Sequence, residues 1–171
     1  MTSAPVTPPP ASVVLTQQGI PHETFRHLKP VHSLEQAAAE RGQTAAQVVR
    51  SLLFRLGEEE WAMVLVAGPE QVSWKRLRQY LGQSRLTMAD RDDVLAVTGY
   101  PIGAVGPFGL RTPMRILVDR SVAEQRQISL GSGTRGTAII MATADLLQLL
   151  DAAEIGDFRA SDEDAPTGSK Q

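Results

Sequence analysis

Val48-Val49-Arg50-Ser51-Leu52-Leu53-Phe54-Arg55-Leu56, a turn at Gly57-Glu58-Glu59-Glu60, and Trp61-Ala62-Met63-Val64-Leu65-Val66-Ala67 together decide the fold. Two apolar runs rich in β-branched and aromatic residues flank a short polar turn, so an antiparallel hairpin is expected. Alternation between apolar and polar residues is almost absent in either run. A strand of that kind is expected to be covered on both faces, at the centre of a sheet.

Working outward, helices surround this hairpin. Upstream, residues 11–18 read as a helix ended by Gly19, and His22 to Leu28 as a short strand. Ser33 and Gln36 have the spacing of a capping box and open a helix in which Leu34, Ala37, Ala38 and Arg41 share a face. Thr44 and Gln47 repeat that spacing before a short helical turn. Downstream, Ser73 caps a helix over 74–81, with Trp74, Leu77 and Leu81 inward and Lys75, Arg76 and Arg78 outward. Asp90 opens another helix, stopped by Gly99. Arg115 to Asp119, Gln127 to Leu130 and 137–142 read as strands. Thr143 is expected to cap a last helix with Leu146, Leu149, Leu150 and Ala153 buried. Helices interleaved with strands around a central hairpin predict a single α/β domain with a mixed sheet surrounded by helices. Residues 1–10, rich in proline, and roughly 156–171, polar and rich in Gly, Ser and Asp, are expected to lie outside the packed unit of 11–155.

Composition narrows the chemistry. The 171 residues suffice for one core and carry a net charge of −2, so any nucleic-acid contact must be a local patch. There is no cysteine, which removes disulfides, thiolate catalysis and cysteine-based zinc sites. Only His22, His27 and His32 could offer imidazole. The apolar run Ala62–Ala67 is too short to span a membrane, and the N-terminus lacks the features of a secretion signal, so a cytoplasmic protein is expected.

Three features are candidates for a site. Gly99-Tyr100-Pro101-Ile102-Gly103-Ala104-Val105-Gly106-Pro107-Phe108-Gly109 mixes four glycines with apolar residues. It reads either as an ordered loop whose N–H groups approach a ligand or as a tight structural turn. Gly131-Ser132-Gly133-Thr134-Arg135-Gly136 lies between two strands, so it is neither a P-loop nor a dinucleotide fingerprint. It is a second binding loop or a plain hairpin turn. Arg50 sits in the apolar hairpin and needs either an internal partner or an anionic or polar ligand. The basic face of Lys75, Arg76 and Arg78 reads as a phosphate contact or a solvated helix face.

Across about residues 11–153 these segments resemble the YbaK/ProX family of aminoacyl-tRNA editing domains, related to the insertion domain of prolyl-tRNA synthetase. The matching residues are the Gly99-Gly103-Pro107-Phe108-Gly109 loop, Gln47-Val48-Val49-Arg50-Ser51-Leu52-Leu53, the Leu34–Arg41 helix, and Gly131–Gly136 followed by Asp145-Leu146. The resemblance implies a deacylase that hydrolyses the ester of a mischarged tRNA without a metal or organic cofactor, a proline tRNA bearing a wrong small amino acid being one case. It implies aminoacyl-tRNA as partner, with a synthetase as a further one. Catalytic roles are expected of Arg50, Gly103, Gly109 and Ser132. Substrate contacts are expected at Gly99, Tyr100, Pro107, Phe108, Gly131, Gly133 and Thr134, and tRNA contacts at Lys75, Arg76 and Arg78. Arg50 stands where the family usually has lysine. The alternatives are a module that binds aminoacyl-tRNA or a nucleotide without cleaving it, and a hydrolase of small esters.

Overall fold

The computed structural model describes residues 7–161; the expectations for 1–6 and 162–171 lie outside the described residues. The hairpin forms as β2 (Val49–Arg55) and β3 (Trp61–Ala67), antiparallel, with Arg50 opposite Val66 and Ser51 opposite Leu65. Before it come α1 (Pro10–Gln17), β1 (Glu23–Arg26), α2 (Leu34–Glu40) and a 3-10 turn at Ala45–Gln47. After it come α3 (Trp74–Leu81), β4 (Thr87–Met88), α4 (Arg91–Thr98), β5 (Arg115–Asp119), α5 (Arg120–Ala123), β6 (Gln127–Gly131), β7 (Thr137–Ala142), α6 (Thr143–Leu149) and β8 (Glu154–Gly156).

β3 is central, as its unbroken apolar pattern requires. It lies in a mixed five-stranded sheet of order β4-β2-β3-β5-β8, antiparallel to β2 and parallel to β5. Met63 and Leu65 enter one core with Val105, Phe108, Leu130 and Ile139. Ala62, Val64 and Val66 enter a second with Leu77, Leu81 and Phe158. A smaller antiparallel sheet, β1-β7-β6, meets the large one through a single parallel bridge between Val48 and Ser129. The chain is thus one α/β domain with a central mixed sheet flanked by helices. No helix among the described residues is long and apolar enough to cross a membrane.

Beyond the Val48 bridge, β2 and β6 lie side by side without forming a ladder, and β4 pairs with β2 only at Phe54 and Arg55, so between Val49 and Leu53 the outer edge of β2 has no laddered strand. Gly68 N–H donates to Val48 O and Leu56 N–H to Glu60 O, so the even-numbered residues of β2 turn their backbone groups to β3. Ser51 therefore turns its own N–H and C=O to the open edge.

Several local expectations need correction. Ala142, not Thr143, holds the N-cap of α6 and offers no side-chain cap, and Thr143 Oγ1 is buried without a partner. β4, α5 and β8 were not expected; at two to four residues each they are too short to show a period. The segment from 156 was expected to be loose, yet Phe158 is 1% exposed and Asp119 Oδ1 accepts from Phe158 N–H at 2.7 Å and Arg159 N–H at 3.1 Å. Averaged over a polar tail, a single aromatic anchor is invisible in composition.

Candidate active site

The two glycine-rich loops do converge. Ala104 O accepts from Gly133 N–H at 2.8 Å, and Arg135 Nε–H donates to Ile102 O at 3.3 Å. Where the loops cross, Gly106 and Gly131 lie backbone to backbone: a Cβ on Gly106 would fall 2.3 Å from Gly131 O. These glycines permit main-chain packing between loops, a reason for glycine that the sequence did not reveal.

Between this junction and the open edge of β2 is a hollow of about 370 Å³, within the range of small-ligand sites. Val94, Ile102, Val105 and Leu130 make its walls, and Gly103, Gly131 and Ser51 its polar points. Ser51 Oγ is buried with no hydrogen-bond partner, an arrangement that is costly unless a ligand or water completes it. A second hollow of about 690 Å³ adjoins the first; Arg41, Gly103 and Thr137 line both. Lys29 and Arg135 also line the second. Among the described residues no carboxylate lines either hollow, although the chain as a whole is net acidic.

Arg41 is held at the junction by a chain of hydrogen bonds. Its Nε–H donates to His27 Nε2 at 3.1 Å and a terminal nitrogen donates to Ser129 Oγ at 2.9 Å. His27 must then carry its ring proton on Nδ1, which donates to Glu40 Oε1 at 2.8 Å. Burial lowers the pKa of the Arg41 guanidinium, with the Glu40 charge acting the other way. The His27 hydrogen bond, followed by one from Gln36, holds the Glu40 carboxyl below its ordinary value. Among the described residues no cluster of His, Asp and Glu could hold a metal ion.

Residues 29–149, more than half of the chain, match the aminoacyl-tRNA editing domain family. The chain belongs to that family. The editing domain is 32% identical over 143 residues to proline–tRNA ligase of Limosilactobacillus fermentum, covering 80% of this chain and 25% of the ligase. It is 30% identical to the uncharacterized protein YwhH of Bacillus subtilis, covering 67% of this chain and 72% of that one. The chain spans only about a fifth to a quarter of the ligases it matches. In fold it is similar to the crystal structure of a candidate trans-editing enzyme for prolyl tRNA synthetase, with a TM-score of 0.80 and 24% identity, covering 88% of this chain and 94% of that one.

Of the editing domain's expected site residues, Arg50, Gly103 and Gly131 border the first hollow. Arg50 does not extend its charge there. The strand's alternation sends its side chain to the face of Leu52 and Phe54, opposite that of Val49, Ser51 and Leu53. Its Nε–H donates to Gly68 O at 2.9 Å and a terminal nitrogen donates to Glu70 O. Burial lowers its pKa, with Glu70 nearby acting against this.

The remaining expected residues line neither hollow. Ser132 is fully buried, and its hydroxyl closes the turn by bonding Thr134 O at 3.0 Å and Thr137 Oγ1 while accepting from Thr134 N–H. Pro107 and Phe108 are buried, and Phe108 belongs to the core. Tyr100 is also a core residue; its OH donates to Phe108 O, and burial raises its pKa. Gly99 caps α4 with φ +87, Gly109 sits against Val14, and Gly133 packs on the Tyr100 ring. Thr134 is exposed. Lys75, Arg76 and Arg78 ride on α3, whose Leu77 and Leu81 pack in the second core, on the far side of the large sheet from the hollows. Arg76 bonds Arg159 O and Ser161 Oγ. Sequence reading missed Arg41, His27 and Ser51. Arg41 was legible only as a helix-face residue, and its partners Ser129 and His27 are distant in sequence.

Proposed function

We propose that this chain is a trans-editing deacylase, which releases an amino acid from a wrongly charged tRNA. The family membership supports this reading, and one observation carries it: an apolar hollow with a few polar points opens at Arg41 onto a second, cationic hollow. In this reading the aminoacyl group enters the first hollow against Val94, Val105 and Leu130. The hollow's modest size suits a small amino acid, and a proline tRNA is the first candidate, since the ligase relatives are named for proline. A synthetase that produces the error is the corresponding partner. The working unit runs from α1 through the Phe158 anchor, residues 10–161.

The reaction is short. Water adds to the acyl carbon, the carbonyl electrons move to oxygen, and the tetrahedral centre collapses with cleavage of the bond to the ribose oxygen. That oxygen leaves with a proton, and the free amino acid carries the oxygen from water. Backbone N–H groups at Gly103 and Gly131 and the Ser51 edge are the donors available to the oxyanion; a single well-placed donor contributes about 3–4 kcal/mol to such a step. Among the described residues neither hollow offers a carboxylate as general base, and both ring nitrogens of His27 are engaged by Glu40 and Arg41. Help with the proton therefore comes from solvent or from the vicinal ribose hydroxyl and the amino group of the substrate.

The test is incubation with a panel of mischarged tRNAs, scoring free amino acid. Release from at least one, lost on filling the hollow by Gly103→Val, supports the proposal. A second reading, a binding module without hydrolysis, is favoured by the engagement of Arg50 with the 68–70 carbonyls; tight tRNA binding with no release would select it. Cleavage of small esters alone would select a hydrolase independent of tRNA.

A further inference from the structure

Resting on that reading, we propose that Arg41 anchors the phosphodiester adjoining the 3′-terminal nucleoside of the tRNA, with Lys29 and Arg135 completing an anion site in the second hollow. Four observations point there. Arg41 lines both hollows, so an anion held on it lies beside the opening into the aminoacyl hollow. Among the described residues no carboxylate lines either space to neutralise Arg41, Lys29 and Arg135. The Arg41 guanidinium is half buried, and its side-chain acceptors, His27 and Ser129, are neutral groups rather than a counter-ion. A partly desolvated cation without a direct counter-ion is costly unless a ligand supplies the charge. Finally, Arg41 is oriented: the Glu40–His27–Arg41 relay and Ser129 fix the plane of its fork, which is how a guanidinium is prepared for a tetrahedral oxyanion.

The rest of the second hollow fits a nucleotide. Leu28, 96% exposed, stands with Pro30 and Val31 beside the cations. An apolar ledge next to basic groups offers a base a surface and its phosphate a charge. Arg135 is set at the rim by its bond to Ile102 O, which also ties the two loops together. The ribose would cross the junction, its 5′ side toward Arg41 and its ester toward Gly103.

The deciding experiment compares two substrates on the full chain: mischarged tRNA, and the same amino acid esterified to adenosine, which has no phosphate. Arg41→Gln should raise KM for the tRNA roughly tenfold, with kcat little changed, and leave hydrolysis of aminoacyl-adenosine unaltered. Arg41→Lys should recover part of the loss, keeping the charge but not the fork. Uncharged tRNA should bind Arg41→Gln with a salt dependence shallower by about one phosphate contact. Lys29→Gln and Arg135→Gln, exposed changes outside the Glu40–His27–Arg41 relay, should act in the same direction and carry the test if Arg41→Gln does not fold. Equal losses on both substrates would overturn the proposal and place Arg41 on the ester; so would no loss on either substrate, or an unchanged salt slope. Wild type that cleaves no ester would defeat the deacylase reading alone, because the salt dependence of tRNA binding still decides the role of Arg41.

Discussion

Gly106 and Gly131 press their backbones together across the two loops: a Cβ on Gly131 would lie 2.2 Å from Val105 O, and one on Gly106 would lie 2.3 Å from Gly131 O. Neither glycine is among those with positive φ, so the constraint is space rather than dihedral freedom. Backbone cannot swing aside as a side chain can. Gly106→Ala should therefore destabilise by about 3 kcal/mol, the upper end of overpacking costs. Gly103 has φ +87 and open space around its missing Cβ. Gly103→Ala should cost only about 1 kcal/mol, the strain of a left-handed residue. Urea denaturation of the two variants orders them; a smaller loss for Gly106→Ala would show that the loops can part.

Ser51 Oγ makes no internal hydrogen bond at the wall of the first hollow. Removing it leaves no protein group unpaired, so Ser51→Ala should change stability by less than about 0.5 kcal/mol. If the hydroxyl meets the substrate, kcat/KM should fall roughly five- to tenfold, the worth of one ordinary hydrogen bond. Thermal melting and steady-state kinetics on the same preparation separate the two effects. A variant that loses stability with unchanged kinetics would remove Ser51 from the site.

Phe158 lies in the second core, edge-on to Tyr80 at 5.1 Å, with its main chain pinned by Asp119. Phe158→Ala should cost about 3–5 kcal/mol. A chain ending at residue 155 should be at least as unstable. Circular dichroism on both would check that the domain extends past β8; a fully stable truncation would contradict it.

Glu154 clasps β8 to the start of β5: Arg115 donates through Nε at 2.9 Å and through a terminal nitrogen at 2.7 Å, and Tyr80 OH donates at 3.0 Å. The Arg115 hydrogen bond is the main cause holding the Glu154 carboxyl below its ordinary 4.5. Because the folded pKa is the depressed one, this stabilisation is present above that value and fades as pH falls through it and below. The pair is partly solvated, so its worth at neutral pH is about 0.5–1 kcal/mol. The stability gap between wild type and Glu154→Gln should be open at pH 7 and closed by pH values under the depressed pKa. A gap independent of pH would locate the effect in packing.

Most of the fold was legible because its large elements carry strong periods. β3 announced its central position by being apolar at each residue, and α3 and α4 were bounded by Ser73, Asp90 and Gly99, whose capping roles hold. What failed to show was whatever depends on contacts distant in sequence. The site was half visible: the meeting of the two loops at Gly103 and Gly131 emerges, while Arg50 does not deliver its charge to the hollow. A one-residue step along β2 exchanges faces, and nothing in an apolar run marks which parity meets a cavity. Phe108 and Tyr100, expected as ligand contacts within the loop that carries the resemblance, are both buried in the core.

The bare margin of β2 between Val49 and Leu52 has a broader implication. Main-chain amides and carbonyls are the same in every protein, so a guest gripped along that margin is recognised by its shape and polar ends, not by the identity of the host's residues there. In the proposed reading, discrimination among guests is then delegated to side chains of the same hollow, Val94, Val105 and Leu130. Such a division lets the choice of cargo be retuned by exchanging those three while the handhold itself stays untouched.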